Sequence, residues 1–104
     1  MCTLYRLRHG HSEIARLFSA SGAASNAQPP SGIYPDSVAP VVRNGPSGQR
    51  EIIEMRWGFP PPPQGNAPVV NVRNTSSSFW RAWLKPEFRC LVPVSSFCEW
   101  TDTL

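Results

Sequence analysis

The chain has 104 residues, a net charge of +3 and a charged fraction of only 16 %, which suits one small domain over residues 1–104. Its 12 prolines and 7 glycines exclude long helices and coiled coils, because proline breaks a helix and glycine weakens it. No apolar run reaches the roughly 20 residues that span a bilayer, and the N-terminus lacks a signal peptide's apolar block, so we expect a monomeric cytoplasmic protein without a membrane partner.

The N-terminal residues predict a strand followed by a short helix. Alternating β-forming residues in CTLYRLR, residues 2–8, favour the strand. Ser12 can cap a helix over residues 13–18, whose apolar side chains then share one face: Ile14, Leu17 and Phe18. The histidines of the HGHS segment, His9 and His11, are expected to be exposed.

A long loop and a hairpin are predicted next. Residues 19–40 are small, polar and rich in proline, which indicates a loop. VAPVV and REIIEMRW have the composition of two strands, and Asn44-Gly45 between them is a frequent hairpin-turn pair. The four consecutive prolines Pro60–Pro63 then enforce an extended polyproline segment.

The second half of the chain predicts short strands and one further helix. PVVNV, FRCLVPV and SSFCEW are strand-like, and Ser77 can cap a helix that Pro86 ends. Together the elements indicate a β-rich α+β domain with short helices. The residues from Trp100 onward follow a strand-like segment without a terminal turn, so we expect the fold to be incomplete at its C-terminus.

Cys2 is the first residue whose position suggests chemistry. Removal of Met1 leaves Cys2 with a free α-amine, and an amine with a pKa of about 7.7–8.0 is partly neutral at pH 7. A neutral amine can attack an aldehyde to give a Schiff base, to which the thiol adds to close a thiazolidine ring. The same thiol could instead cleave a peptide bond as an N-terminal nucleophile. A cysteine without chemistry is the third interpretation.

Two apolar segments carry further candidate residues. On a strand, Asn71 and Arg73 point the same way, which suits an amide that orients a substrate and a guanidinium that holds a phosphate. Glu99 would serve as general acid or base if burial raised its pKa, and would face solvent otherwise. Trp57 and Trp100 can stack on bases or fill the core.

Arginine and cysteine usage adds two expectations. Nine of the ten basic residues are arginine, which favours contacts with phosphate or carboxylate, although solvated surface arginines explain the bias equally well. The three cysteines form no CxxC pair, so no disulfide framework, metal site or cofactor is expected. Cys90 and Cys98 lie in apolar segments and are expected to be buried thiols.

The order of the motifs resembles the SOS-response-associated peptidase (SRAP) family. A cysteine directly after the initiator Met is followed by APVV, MRWGF with prolines, N-x-R, RCLVP and F-x-EW, over residues 2–100. The resemblance implies a barrel-like SRAP domain with a mixed sheet. It also implies a DNA-damage protein that binds single-stranded DNA and traps its abasic sites through the N-terminal cysteine.

For catalysis, the resemblance implies three residues. Cys2 forms the thiazolidine after Met1 is removed, Asn71 positions the aldehyde and the cysteine, and Glu99 is the general acid and base. The family's catalytic histidine belongs to a later segment, ahead of Arg-Met-Pro, which the 104 residues do not include. Neither His9 nor His11 is assigned to that role, so catalysis by residues 1–104 alone is expected to be impaired.

For DNA binding, the resemblance implies that Arg73 holds a phosphate beside the lesion and that Trp57 and Trp100 support the strand. The family usually begins Cys-Gly-Arg, whereas this chain has Leu4 at the third of these positions. Arg6 lies on the same side of a strand as position 4 and is expected to supply the missing contact. Two alternatives stay open: a thiol autopeptidase acting on peptide bonds, and a non-catalytic fragment that binds single-stranded DNA or protein.

Overall fold

The computed structural model describes residues 2–22, 30–61 and 63–101, which form two small sheets and a few short helices. The strands are β1 (Tyr5–Arg6), β2 (Ser21–Gly22), β3 (Val38–Asn44), β4 (Arg50–Arg56) and β5 (Ser96–Phe97). The helices are α1 (His11–Phe18), α2 (Ser78–Arg81) and a 3₁₀ turn at Pro86–Phe88. One sheet has the strand order β2-β4-β3, and the other pairs β1 with β5.

The β3–β4 hairpin is the longest regular unit of the fold. Its strands pair antiparallel, and the register extends to Asn44 opposite Arg50. Asn44 therefore belongs to the strand, and the turn is closed by the Gly45 N–H, which donates to the Gln49 carbonyl at 2.7 Å. Gly48 has a φ of +83°, a conformation that L side chains rarely adopt. The predicted hairpin is confirmed, with its turn slightly later in the chain than expected.

The hydrophobic core lies between β1, α1 and the three-stranded sheet. Its buried members are Tyr5, Leu7, Ile14, Ile33, Ala39, Val42 and Ile52. Tyr5 and Ile33 exchange backbone hydrogen bonds of 3.1 and 2.8 Å, so the N-terminal strand is bonded directly to the centre of the core. This pairing fixes the backbone only three residues after Cys2.

α1 starts earlier than predicted and buries a narrower face. Gly10 is its N-cap residue and no side chain caps the helix, so the expected cap at Ser12 is wrong. Ile14 is 1 % exposed and Phe18 packs against the core, but Leu17 is 61 % exposed. An eight-residue helix against one sheet buries a single stripe, and Leu17 falls outside it.

Replacing Ile14 with alanine is expected to lower the free energy of unfolding by about 2–5 kcal/mol, because the change removes buried methyl groups and leaves a cavity. Leu17→Ala, in the same helix, should change stability by less than about 0.5 kcal/mol because its side chain is exposed. Urea unfolding of both variants measures the difference. Equal losses would contradict the packing of Ile14 described above.

The remaining strands are shorter than the sequence predicted. β1 covers only two of the expected residues 2–8. PVVNV forms a single β-bridge, from Val69 to Phe59, and FRCLVPV forms a single β-bridge, from Leu91 to Val42. SSFCEW contributes only β5, and the expected loop over 19–40 contains β2 and the start of β3. Proline has no N–H to donate, which limits pairing in PVVNV at Pro68 and in FRCLVPV at Pro93. Residues 23–29 of that loop, and Pro62 of the polyproline run, lie outside the described residues.

The predicted cap of α2 is confirmed. The Ser77 hydroxyl accepts a hydrogen bond from the Phe79 N–H at 3.3 Å. Pro86 does not merely follow the helix, since it begins the 3₁₀ turn. Aromatic rings hold this region together, and their centroids lie 5.2–5.4 Å apart in edge-to-face pairs: Phe59–Trp80, Phe59–Trp83 and Trp83–Phe88.

The α+β class is confirmed, but a barrel is not observed. Over the described residues the three-stranded sheet and the β1–β5 pair remain separate and do not close. The isolated bridge at Tyr5 pairs β1 with Ile33, a residue outside both sheets, and does not continue the ladder. No helix within the described ranges is both long and apolar enough to cross a membrane.

Candidate functional site

A cleft with a volume of about 550 Å³ lies beside the β3–β4 hairpin, and Cys2 is part of its wall. Its lining is largely apolar: alternate residues of the hairpin, Ala39, Val41 and Met55, share the face that contributes to it. Asn71 brings an amide to this wall. Cys2 and one amide side chain therefore share a largely apolar cleft.

Two contacts hold Cys2 in this wall. Its thiol donates to the Leu4 carbonyl at 3.5 Å, and Asn71 Nδ2 donates to the Cys2 carbonyl oxygen at 3.3 Å. The Leu4 carbonyl also accepts from the Cys98 N–H at 3.0 Å, which extends the β1–β5 pairing toward Cys2. Asn71 thus contacts the backbone of the predicted nucleophile from a segment 69 residues away.

The Tyr5 phenol is a second group at the cleft that the sequence did not single out. Burial raises its pKa above 10.0, and the charges of the Cys2 and Cys90 thiolates raise it further. The phenol is therefore protonated at neutral pH. The Tyr5 ring packs against Trp57, with centroids 5.5 Å apart, so Trp57 helps to set its orientation.

The structure brings only part of the predicted catalytic set into the cleft. Cys2 and Asn71 line it, whereas Glu99 is exposed and is not among the lining residues. The Cys98–Leu4 hydrogen bond extends the backbone pairing one residue beyond β5, to the residue that precedes Glu99. Burial of Glu99, which one interpretation required, is not observed, because this end of the chain has no element packed over it among the described residues.

The predicted DNA-binding residues lie outside the cleft, apart from Trp57. Arg73 is exposed, and residues 71–74 are not a strand, so the expected strand geometry of Asn71 and Arg73 is wrong. Arg6 is exposed on the face of β1 opposite Tyr5, because neighbouring residues of a strand alternate. Trp100 is 90 % exposed, so the interpretation of Trp100 as a core residue is wrong. Its exposed ring is accessible for stacking on a base.

The two histidines are less exposed than expected. His11 lies in α1 with its side chain 12 % exposed, and its Nε2 is 3.7 Å from a Glu54 oxygen. His9 precedes the helix, and its Nδ1 is 2.8 Å from an oxygen of Glu13 in the first turn of α1. Neither histidine lines the cleft, and no group of three or more metal-ligating side chains occurs within residues 2–22, 30–61 and 63–101.

Cys90 and Cys98 are exposed, so the expectation that both are buried thiols is wrong. Each lies in a segment whose apolar side chains remain largely exposed, including Leu91 and Phe97. Cys90 nevertheless lines the cleft, and partial burial raises the pKa of its thiol above the ordinary 9.0. The RCLVP motif was part of the family resemblance, but the residues around Cys90 carry no signal that this segment lies in the same cleft as Cys2.

Alkylation of Cys90 is expected to be slower than that of a model thiol at pH 8, because only the thiolate reacts and the raised pKa reduces its fraction. The rate should reach half its maximum above pH 9.0 in the folded protein. In urea the pKa returns to its ordinary value and the rate at pH 8 should rise. Peptide mapping after timed iodoacetamide treatment measures Cys90 alone, and equal rates with and without urea would contradict the expectation.

Comparison with protein-family models matches residues 1–103 to the family described as SOS response associated peptidase (SRAP). The match runs from the cleft-lining N-terminus to the segment beyond Trp100, and so includes both strands of the β1–β5 pair. A search of the curated proteins found no match.

Proposed function

The chain belongs to the SOS response associated peptidase (SRAP) family, and from this membership we propose that it covalently traps abasic sites in single-stranded DNA through Cys2. The family name associates the protein with the response to DNA damage. The observation that carries the proposal is the placement of Cys2 in the wall of an apolar cleft, with Asn71 bonded to its carbonyl. Removal of Met1 is the step that prepares the site.

The reaction uses both functional groups of an N-terminal cysteine. The α-amine attacks the aldehyde carbon of the ring-opened abasic sugar, and loss of water gives a Schiff base. The Cys2 thiol then adds to the imine carbon, and its proton passes to the nitrogen. The product is a thiazolidine, and one water is the only molecule released. An interior cysteine cannot follow this course, because its nitrogen is part of an amide.

The apolar cleft supports this chemistry by excluding water. Formation of the Schiff base releases water, and a wall of aliphatic side chains limits access of bulk solvent to the imine. Asn71 positions Cys2 and has an amide that can also donate to the aldehyde oxygen. Glu99, which directly follows the Cys98 bonded to the Leu4 carbonyl, is proposed as the group that moves protons.

DNA binding is proposed for exposed residues around the cleft. Arg73 and Arg6 have guanidinium groups that suit phosphate oxygens, and Trp100 presents a ring on which a base can stack. Trp57 forms part of the cleft wall next to Tyr5. An abasic nucleotide has no base, so its sugar can enter a cleft while its neighbours remain on these outer residues.

Intact-protein mass spectrometry tests the proposal directly. The mass of the purified chain should lack Met1, and mixing with single-stranded DNA that has one abasic site should add the mass of one strand less one water. Retention of Met1, or no adduct after its loss, would overturn it for these 104 residues. Cleavage of added peptides without DNA would favour the thiol autopeptidase instead.

A further inference from the structure

A second concave surface lies near the turn end of the β3–β4 hairpin, where Asn44 pairs with Arg50. It is a groove of about 460 Å³, formed where the segment after the 3₁₀ turn crosses β3. Val42 and Leu91 fix this crossing by exchanging backbone hydrogen bonds of 2.9 and 2.8 Å. The groove is therefore built on the regular part of the fold.

Three arginines dominate the groove: Arg43, Arg50 and Arg89. Arg50 Nη1 donates to the Phe18 carbonyl at 2.8 Å, and Arg89 Nε donates to the Leu84 carbonyl at 2.9 Å. A neutral carbonyl orients a guanidinium but leaves its full positive charge, and each bond uses one of five N–H donors. These two arginines are thus held in place by bonds that do not neutralise them.

One carboxylate offsets part of this charge. Arg43 Nε donates to a Glu51 oxygen at 2.8 Å, across the register of the hairpin. None of the described residues that line the groove is itself acidic. The three arginines and Glu51 give the groove a net positive charge, and the ligand it suits is an anion with several oxygen acceptors.

The groove adjoins the catalytic cleft. Cys90 lines both the cleft and the groove, so the two surfaces meet at this residue. A polymer that enters the cleft at Cys2 can pass Cys90 and continue into the groove, whereas a small anion gains nothing from this adjacency. Repeated phosphates along one chain match a row of arginines, two of which are held in position by backbone carbonyls.

We propose that this arginine groove binds the phosphodiester backbone of single-stranded DNA that extends from the Cys2 cleft. The proposal rests on the proposed function, because that function supplies the strand. The groove contacts phosphates and not bases, so its contribution is independent of sequence and decreases with salt. It gives the protein a longer footprint than the abasic site alone.

The double variant Arg50→Gln/Arg89→Gln tests the groove. The Kd of this variant for a long undamaged single strand should rise about tenfold at low salt. The slope of log affinity against log salt concentration should be smaller in magnitude by about 1.4, because each lost phosphate contact removes roughly 0.7. Arg89→Lys keeps the charge and should retain most of the affinity. Arg16→Gln is the control, since Arg16 is an exposed arginine on α1 and outside the groove. Its salt slope should match the wild type.

An abasic trinucleotide separates the groove from the chemistry. The double variant should cross-link it at the wild-type rate, because a trinucleotide occupies the cleft without extending along the arginines. A double variant with the affinity and salt slope of Arg16→Gln would overturn the groove proposal and leave the trapping chemistry intact. Failure of the wild type to cross-link would instead overturn the proposed function, while binding to the undamaged strand would still measure the groove.

Discussion

Cys2→Ala is expected to abolish covalent attachment to abasic single-stranded DNA, a loss of at least about 10³-fold in rate, set by the detection limit of the assay. The variant keeps an α-amine after Met1 removal, so a reversible Schiff base can still form. It lacks the sulfur that closes the thiazolidine, and the imine returns to aldehyde and amine in water. Intact mass spectrometry and a denaturing gel should both show free strand and free protein.

Two controls separate the thiol of Cys2 from the others. Cys90→Ala and Cys98→Ala should retain the adduct, because neither residue has a free α-amine. Reduction with cyanoborohydride should capture the Schiff base of Cys2→Ala as a stable amine, which shows that its amine still reaches the aldehyde. A Cys2→Ala chain that forms an adduct without reductant would contradict the thiazolidine mechanism.

The features that sequence predicted correctly are those set by local chemistry. The β-forming composition of VAPVV and REIIEMRW, with Asn44-Gly45 between them, predicts a hairpin from neighbours in the chain alone, and the structure extends its pairing to Asn44 and Arg50. Ser77 could be identified as a cap because its hydroxyl needs only an N–H two residues later. Such interactions involve neighbours in the chain and so leave a local signal.

The features that sequence missed depend on partners far along the chain. FRCLVPV and PVVNV have strand-like composition, yet each forms only one β-bridge. Composition could not reveal this, because strand pairing also requires a partner segment whose backbone is free to form hydrogen bonds. Cys90 and Cys98 lie among apolar neighbours, yet the segments that contain them are covered by no other described element and remain exposed. Apolar composition predicts burial only where something packs against it.

The candidate site shows the same division. The chemistry proposed for Cys2 was inferred from its position directly after Met1, without a structure. Its relation to Asn71 is a contact across 69 residues, and only resemblance to a family indicated it beforehand. Tyr5 was part of a predicted strand, but its place in the cleft results from the pairing with Ile33. The arginine groove likewise joins residues from three separate segments.

Asn71 provides the second large effect, because it is the side chain that contacts the predicted nucleophile. Its amide donates to the Cys2 carbonyl, and this bond restrains the residue whose amine and thiol must both reach one carbon. Ring closure demands a defined orientation, and misplacement of a reacting group by about 1 Å can cost about 10²-fold in rate. Loss of the amide also removes a donor for the aldehyde oxygen as negative charge develops on it.

Asn71→Ala is therefore expected to reduce the cross-linking rate about 10²-fold while leaving the Kd for undamaged single-stranded DNA unchanged. Single-turnover cross-linking at saturating DNA measures the rate, and fluorescence anisotropy measures the Kd. Asn66→Ala is the matched control, since Asn66 is exposed and does not line the cleft. If Asn71→Ala weakened DNA binding and left the saturated rate unchanged, Asn71 would belong to the DNA-contacting surface and its contact with Cys2 would be incidental to the chemistry.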